Sequence, residues 1–377
     1  MPVEFKYPWV GVAIPAALII YLQSSTTYLW MQDKHEVLSD RIFLIFQFAN
    51  MMLWISYCLA IVTPPGSPAP DYQLPQREFG KHQTMWRKFC IKCNKYKPER
   101  THHCRKCDKC VLKMDHHCPW TNNCIGFKNF PHFIKFLVWI EVTLLIGWIY
   151  YAKKLYGIFE MRSLPSYLIS TSDVTVSIIN TLMVSFILLT ISILFIRCLS
   201  SAASNQTMIE EWECDRIQDN FFTEKLWIKV RHNYSKIYPD ERFPDLKSWK
   251  VNYRILKQNT QIPLNFTYED LVFPYDLGSA YLNLVDSIGP LYTWILPWGG
   301  PNGDGINFIK DALKEDQIKL PFPIDGSNFD DPKSTFFGID DDNELVTSND
   351  WANYLGETLN DFGVDLETET YDDSKNK

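Results

Sequence analysis

Three things are scarce in this sequence of 377 residues, and each scarcity excludes something. Positive charge is in deficit: 37 Lys and Arg against 44 Asp and Glu leave a formal net charge of −7, which argues against a nucleic-acid binder. Much of the acidic excess lies in the C-terminal tail. Cysteine is scarce outside one short stretch, where only Cys58, Cys198 and Cys214 occur, so no disulfide framework is expected to span the chain. Self-similarity is also missing. No internal repeat and no low-complexity tract is expected beyond the acidic bias. The first apolar run lacks a strongly basic leader and a small-residue cleavage site, so no cleavable secretion signal is expected.

What is present is unevenly distributed. The mean hydropathy of −0.16 averages a water-facing part with four long apolar runs. These cover Pro8 to Trp30 (interrupted by Pro15 and the cluster Ser24 to Thr27), Ile42 to Val62, Phe133 to Tyr151 with Glu141 inside it, and Val174 to Cys198 with Asn180 inside it. A bilayer core needs about 20 such residues per helix, so the runs predict four transmembrane helices. Glu141 is expected to hydrogen-bond within the bundle rather than to serve transport. The fold class that follows is an all-α polytopic membrane protein with four transmembrane helices. A small zinc-braced, cysteine-rich domain lies between helices 2 and 3, and a C-terminal region follows helix 4. The expected division is 1–62 for the first helix pair, 63–132 for the cysteine-rich domain, 133–198 for helices 3 and 4, 199–324 for a soluble region, and 325–377 for an acidic flexible tail.

The remaining seven cysteines crowd between Cys90 and Cys124. The block reads Cys90-x2-Cys93, His102-His103-Cys104-x2-Cys107-x2-Cys110, Asp115-His116-His117-Cys118 and Cys124. Cys-x2-Cys puts two thiolates on one tight knuckle, spaced for a tetrahedral zinc. Two such ions use eight ligands, and this block offers more than eight. A surplus thiol beside paired histidines and a carboxylate is the composition of an activated nucleophile. In extended chain, His116 and Cys118 share one side while His117 faces the other. Which histidines bind metal is left open by composition alone.

The block resembles the cysteine-rich domain of the DHHC-type protein S-palmitoyltransferases, and the four-helix layout around it is similar to that family, most closely to its fungal endoplasmic-reticulum branch. The resemblance implies one zinc on Cys90, Cys93, His103 and Cys110, and a second on Cys104, Cys107, His117 and Cys124. It implies that Cys118 carries the acyl group as a thioester, with His116 as general base and Asp115 orienting it. Lys88, Lys97, Lys113 and Lys135 are candidates for the phosphates of coenzyme A. Two motifs depart from the family pattern. Pro64-Pro65-Gly66 replaces Asp-Pro-Gly, and Thr207-Met208-Ile209-Glu210 lacks one hydroxyl expected near Asp115. A further family motif is matched by Pro274-Tyr275-Asp276-Leu277-Gly278 with Asn283 before Gly289.

The function so implied is transfer of a long-chain acyl group from palmitoyl-coenzyme A, through Cys118, to cysteines of membrane-associated proteins. The expected partners are that co-substrate, those proteins and membrane lipids, with no nucleic acid. Basic residues from Arg77 to Lys128, together with reduced thiols, place the block in the cytosol, and with it both termini. Lys153 and Lys154 weigh mildly the other way. The organelle implied is the endoplasmic reticulum. The rival reading is a non-catalytic membrane zinc scaffold, which leaves the surplus Asp-His-Cys set unexplained.

Overall fold

The structure, a computed structural model, describes residues 7–32, 37–73, 88–163, 165, 170–220, 275–310, 351–365 and 368–371. Among the described residues, helices α1 (Trp9–Gln32), α2 (Asp40–Val62), α3 (Phe130–Glu160) and α4 (Thr171–Ala203) are long enough and apolar enough to cross a membrane. At a rise of about 1.5 Å per residue, α3 and α4 are about 45–50 Å long and overshoot a hydrocarbon core of about 30 Å. This makes the chain an integral, multi-pass membrane protein. Its α3 runs past the end expected at Tyr151, and Lys154 lies there over the Tyr150 ring at 5.8 Å.

Lipid gives helices no hydrophobic reason to associate, so close packing and interhelical hydrogen bonds must hold them. Trp30 of α1 stacks on Tyr150 of α3 at 4.6 Å and on Phe46 of α2 at 6.0 Å. One turn away, Thr26 meets the Tyr151 hydroxyl at 2.9 Å, and Asn180 of α4 donates to the same oxygen at 2.7 Å. Ser192 donates to Glu141 at 3.0 Å, so this intramembrane carboxyl bonds within the bundle.

Between α2 and α3 the chain forms three short antiparallel hairpins: β1 (Lys88–Cys90) with β2 (Lys95–Tyr96), β3 (His102–Cys104) with β4 (Lys109–Val111), and β5 (His116–Cys118) with β6 (Asn123–Ile125). Each turns through a left-handed residue, Asn94, Asp108 and Asn122, with φ of 51°, 50° and 48°. Asn and Asp tolerate that conformation better than other residues with side chains, which explains their recurrence at the turns. The second and third hairpins share a register: His103 faces Cys110, and His117 faces Cys124. They are an internal repeat, which the sequence reading did not expect. The repeat is too short for a self-similarity scan and becomes evident only through its pairing.

The third hairpin is seated on the membrane part. Asn123 donates to the carbonyls of Ile61 and Thr63 at the end of α2, and Tyr57 donates to the Trp120 carbonyl at 2.8 Å. Helix α5 (Met208–Asn220) follows α4, and α6 (Ala280–Ile288) packs against α4. Tyr275 to Gly278 and Asn283, from the last motif, dock on the end of α4, where Asn283 donates to the Ala203 carbonyl at 2.7 Å. Pro274 lies outside the described residues.

The expectation of a flexible tail after residue 325 needs correction for its described part. Residues 351–365 and 368–371 lie on the cysteine-rich domain. Strand β7 (Glu369–Tyr371) pairs antiparallel with β1, Val364 bridges Cys104, and the buried Leu359, Phe362 and Val364 join the core. Backbone pairing to an open hairpin edge, with these few apolar anchors, orders a segment whose composition reads as solvated.

Candidate active site

Each Cys-x2-Cys knuckle is completed by the next hairpin. Cys90 and Cys93 gather with His103 and Cys110, and Cys104 and Cys107 gather with His117 and Cys124. Within each group the ligand atoms all lie within 4.8 Å of one another. Tetrahedral zinc places sulfur and nitrogen ligands about 3.6 Å apart. Here Nδ1 of His103 is 3.4, 3.3 and 3.9 Å from the sulfurs of Cys90, Cys93 and Cys110. Nδ1 of His117 is 3.7, 3.4 and 3.6 Å from those of Cys104, Cys107 and Cys124. Knuckle amides support the thiolates, with the Cys93 N–H 3.3 Å from the Cys90 sulfur and the Cys107 N–H 3.3 Å from the Cys104 sulfur. Both groups can hold a metal ion. Three thiolates and one imidazole favour zinc in a structural role, because four protein donors leave no open position. The eight residues are the two sets implied above, and His102 and His116 belong to neither.

Cys118 occupies the knuckle position of the third hairpin, and Thr121 stands where Cys93 and Cys107 stand in the others. Helix α3 follows the third hairpin where a fourth would stand. Cys118 instead faces the membrane part, 4 % exposed, at a cavity of about 670 Å³. This is within the usual range of about 300–1,000 Å³ for ligand cavities. The walls are apolar and come from all four membrane helices, among them Leu22, Leu53, Phe136, Leu144 and Ile191. On α3 the lining runs from Phe133 to Gly147, a depth of about 21 Å along the helix.

Beside the thiol, His116 Nδ1 is 2.7 Å from Asp115 Oδ2, so Nε2 is the ring nitrogen left for Cys118. Burial disfavours charge on His116. Hydrogen bonds and charge from Asp115 and Cys118 outweigh it and raise its pKa to about 10. Burial likewise opposes a Cys118 thiolate, yet the hydrogen bond and positive charge of His116, with hydrogen bonds from Thr121, bring its pKa below the usual thiol value. Both shifts favour a thiolate–imidazolium pair, in which the proton that a general base would remove rests on His116.

Asp115 is held from the other side by α5. Thr207 and Glu210 form a capping box, in which the Thr207 hydroxyl accepts from the Glu210 N–H at 3.2 Å and Glu210 accepts from the Thr207 N–H at 2.9 Å. The free first-turn N–H of Met208 then donates to Asp115 Oδ1 at 2.9 Å. A backbone donor at the positive end of a helix thus supports Asp115, where the sequence suggested that a lost hydroxyl weakened it. Glu210 also grips Arg100 through two 2.6 Å bonds, and Arg100 lies 4.3 Å over the Tyr275 ring.

The lysines assigned to coenzyme A phosphates need correction. Lys113 is buried and donates to Asn205 at 2.8 Å and Ser287 at 3.1 Å. Burial and the nearby Arg100 push its pKa down to about 7, against the pull of Asp286 and Glu210. Lys135 is buried and donates to the Trp298 carbonyl at 2.8 Å, and Lys97 is 3 % exposed. None of the three offers a free surface charge, because the protein already satisfies or encloses each ammonium group. The side chain of Lys88 lies outside the described residues. What sequence reasoning missed is the tail: Glu357, Asp361 and Phe362 line the cavity together with His116 and Cys118. No motif marks them.

Comparison with known proteins agrees with this geometry. Residues 83–215 match the family model described as DHHC palmitoyltransferase. A protein of Saccharomyces cerevisiae named Palmitoyltransferase PFA4 is 39 % identical, over 98 % of this chain and 100 % of its own. Namesakes from Debaryomyces hansenii and Candida glabrata are each 38 % identical over 98 % of this chain, and over 96 % and 100 % of their own. With its four membrane helices, two metal-ligand groups and this similarity over nearly its whole length, the chain belongs to the DHHC palmitoyltransferase family.

Proposed function

We propose that this protein S-acyltransferase takes a long-chain acyl group from palmitoyl-coenzyme A, carries it as a thioester on Cys118, and passes it to cysteines of membrane-associated proteins at the cytosolic face of the endoplasmic-reticulum membrane. The observation that carries the reading is the Asp115–His116–Cys118 set at the mouth of a deep apolar cavity. On this reading residues 1–62 and 133–198 supply the acyl slot, and 63–132 supply the chemistry. The Cys118 thiolate attacks the thioester carbonyl carbon, and the tetrahedral intermediate collapses with loss of coenzyme A thiolate, which takes the proton from His116. A substrate cysteine then gives its proton to the neutral His116 and attacks the Cys118 thioester, and the Cys118 thiolate leaves. Each half exchanges one thioester for another, so neither needs coupling to ATP. The two zinc ions would hold the hairpins and take no part in these steps.

Purified protein incubated with palmitoyl-coenzyme A is expected to gain the mass of one palmitoyl group at Cys118, removable by hydroxylamine. An adduct confined to another cysteine, or none, would overturn the assignment. The orientation has its own test. Sequons at Asn233 and Asn265 are expected to stay unglycosylated, and one inserted between Gln32 and Asp40, far enough from the membrane, to be modified. Modification of either native site would place the thiol in the lumen.

A further inference from the structure

The segment from Trp351 to Tyr371 lies outside the residues matched by the family model, yet it bonds to the cysteine-rich hairpins and lines the cavity. Its backbone bonds to all three hairpins that carry metal ligands. The Phe362 carbonyl accepts from the His117 N–H at 2.9 Å, the Gly363 carbonyl accepts from the Arg105 N–H at 3.0 Å, and the Asp365 N–H donates to the His103 carbonyl at 2.9 Å. Further along, the Thr368 carbonyl accepts from the Ile91 N–H at 3.0 Å before β7 pairs with β1. It also reaches α4 and α5. Glu357 meets Arg197 of α4 through two 2.7 Å bonds, its carbonyl accepts from Trp212 of α5 at 2.8 Å, and Trp351 packs edge-on against Trp212 at 4.8 Å.

Gly363 is where the fit is tightest. Its φ is +84°, and a Cβ there would fall 2.7 Å from the Cβ of His117. A side chain would force the segment off the strand that carries His116 and Cys118, and would strain the backbone as well. At the same place Asp361 and Phe362 complete the cavity wall beside those two residues.

We propose that Trp351–Val364 is a built-in wall of the active site, with Gly363 as the positioning residue that seats it against His117 and so fixes the strand bearing His116 and Cys118. The segment closes the cavity mouth on the side that the membrane helices and hairpins leave open. This inference rests on the acyl-transfer reading above and adds a part to it. Reaction geometry is sensitive to displacements of about 1 Å, so a shifted wall lowers turnover more than donor affinity.

The test uses the full chain, Gly363→Ala, and a chain ending at residue 350, each assayed for zinc content and for the rate of acyl-enzyme formation from palmitoyl-coenzyme A. Gly363→Ala is expected to keep both zinc ions and a donor KM within about threefold of the unaltered chain, while kcat per zinc-loaded enzyme falls at least about tenfold. The truncated chain is expected to be similarly slow. Synthetic peptide 351–377 added in trans should restore it, and the same peptide carrying Gly363→Ala should not. Zinc loss in step with activity in Gly363→Ala would overturn the proposal, since the segment would then only brace the metal sites. A truncated chain as fast as the full one would also overturn it. If the unaltered full chain forms no acyl-enzyme, the acyl-transfer reading itself fails, a distinct outcome.

Discussion

Cys118→Ser is expected to keep both zinc ions and form no acyl-enzyme. Serine fits the space, but its hydroxyl is far less acidic, and His116 cannot hold it as the anion. His116→Ala is expected to keep the metal too and to slow acylation by about 10²–10⁴-fold, the range for a lost acid–base group. The pH profile separates an ion pair from a neutral thiol awaiting a base. Because the Cys118 pKa is lowered, the thiolate persists to pH values below the usual thiol range. Because that of His116 is raised to about 10, the imidazolium persists up to about that pH. Single-turnover acylation should therefore reach its plateau below the usual thiol range, falling on the acid side as Cys118 takes a proton and above about 10 as His116 loses one. A rate that climbs with a midpoint near the free thiol value of about 8.5 would contradict the pair.

Metal removal is expected to have the larger structural effect. A structural zinc in a small finger contributes an apparent 10–16 kcal/mol, roughly the whole stability of a typical domain at about 5–15 kcal/mol. Strands of two or three residues cannot hold three hairpins without it. His117→Ala should therefore lose the second zinc and become sensitive to protease between Lys88 and Ile125, while its neighbour His116→Ala does not. Elemental analysis and limited proteolysis of both variants would decide. If His116→Ala lost zinc and His117→Ala kept it, the two roles would be exchanged.

The membrane helices were legible in the sequence because lipid demands long apolar runs and little else produces them. The spread of basic residues carried less. Lys113 reads as a surface charge, yet it ends in a polar cluster with Asn205, Ser287 and Asp286, each 92 or more positions from the lysine in the sequence. The capping role of Thr207 and Glu210 was open to reading as Thr-x-x-Glu, a pattern with a known local geometry. Its link to Asp115, 93 positions away, was not. The tail was the least legible part. Backbone pairing between Asp365 and His103 uses groups every residue has, so no side-chain pattern announces it.

The order of the hairpins has one more consequence. Each knuckle hands its thiolates to the His and Cys of the hairpin after it, and the third has no successor because the chain turns into α3 at Phe130. Cys118 is thus the open end of a short polymer of metal sites. Thr121, in place of a second thiol, keeps that end from capturing an ion of its own. The feature that makes a good ligand, a thiolate held ready by its loop, makes a nucleophile once the series stops one unit short.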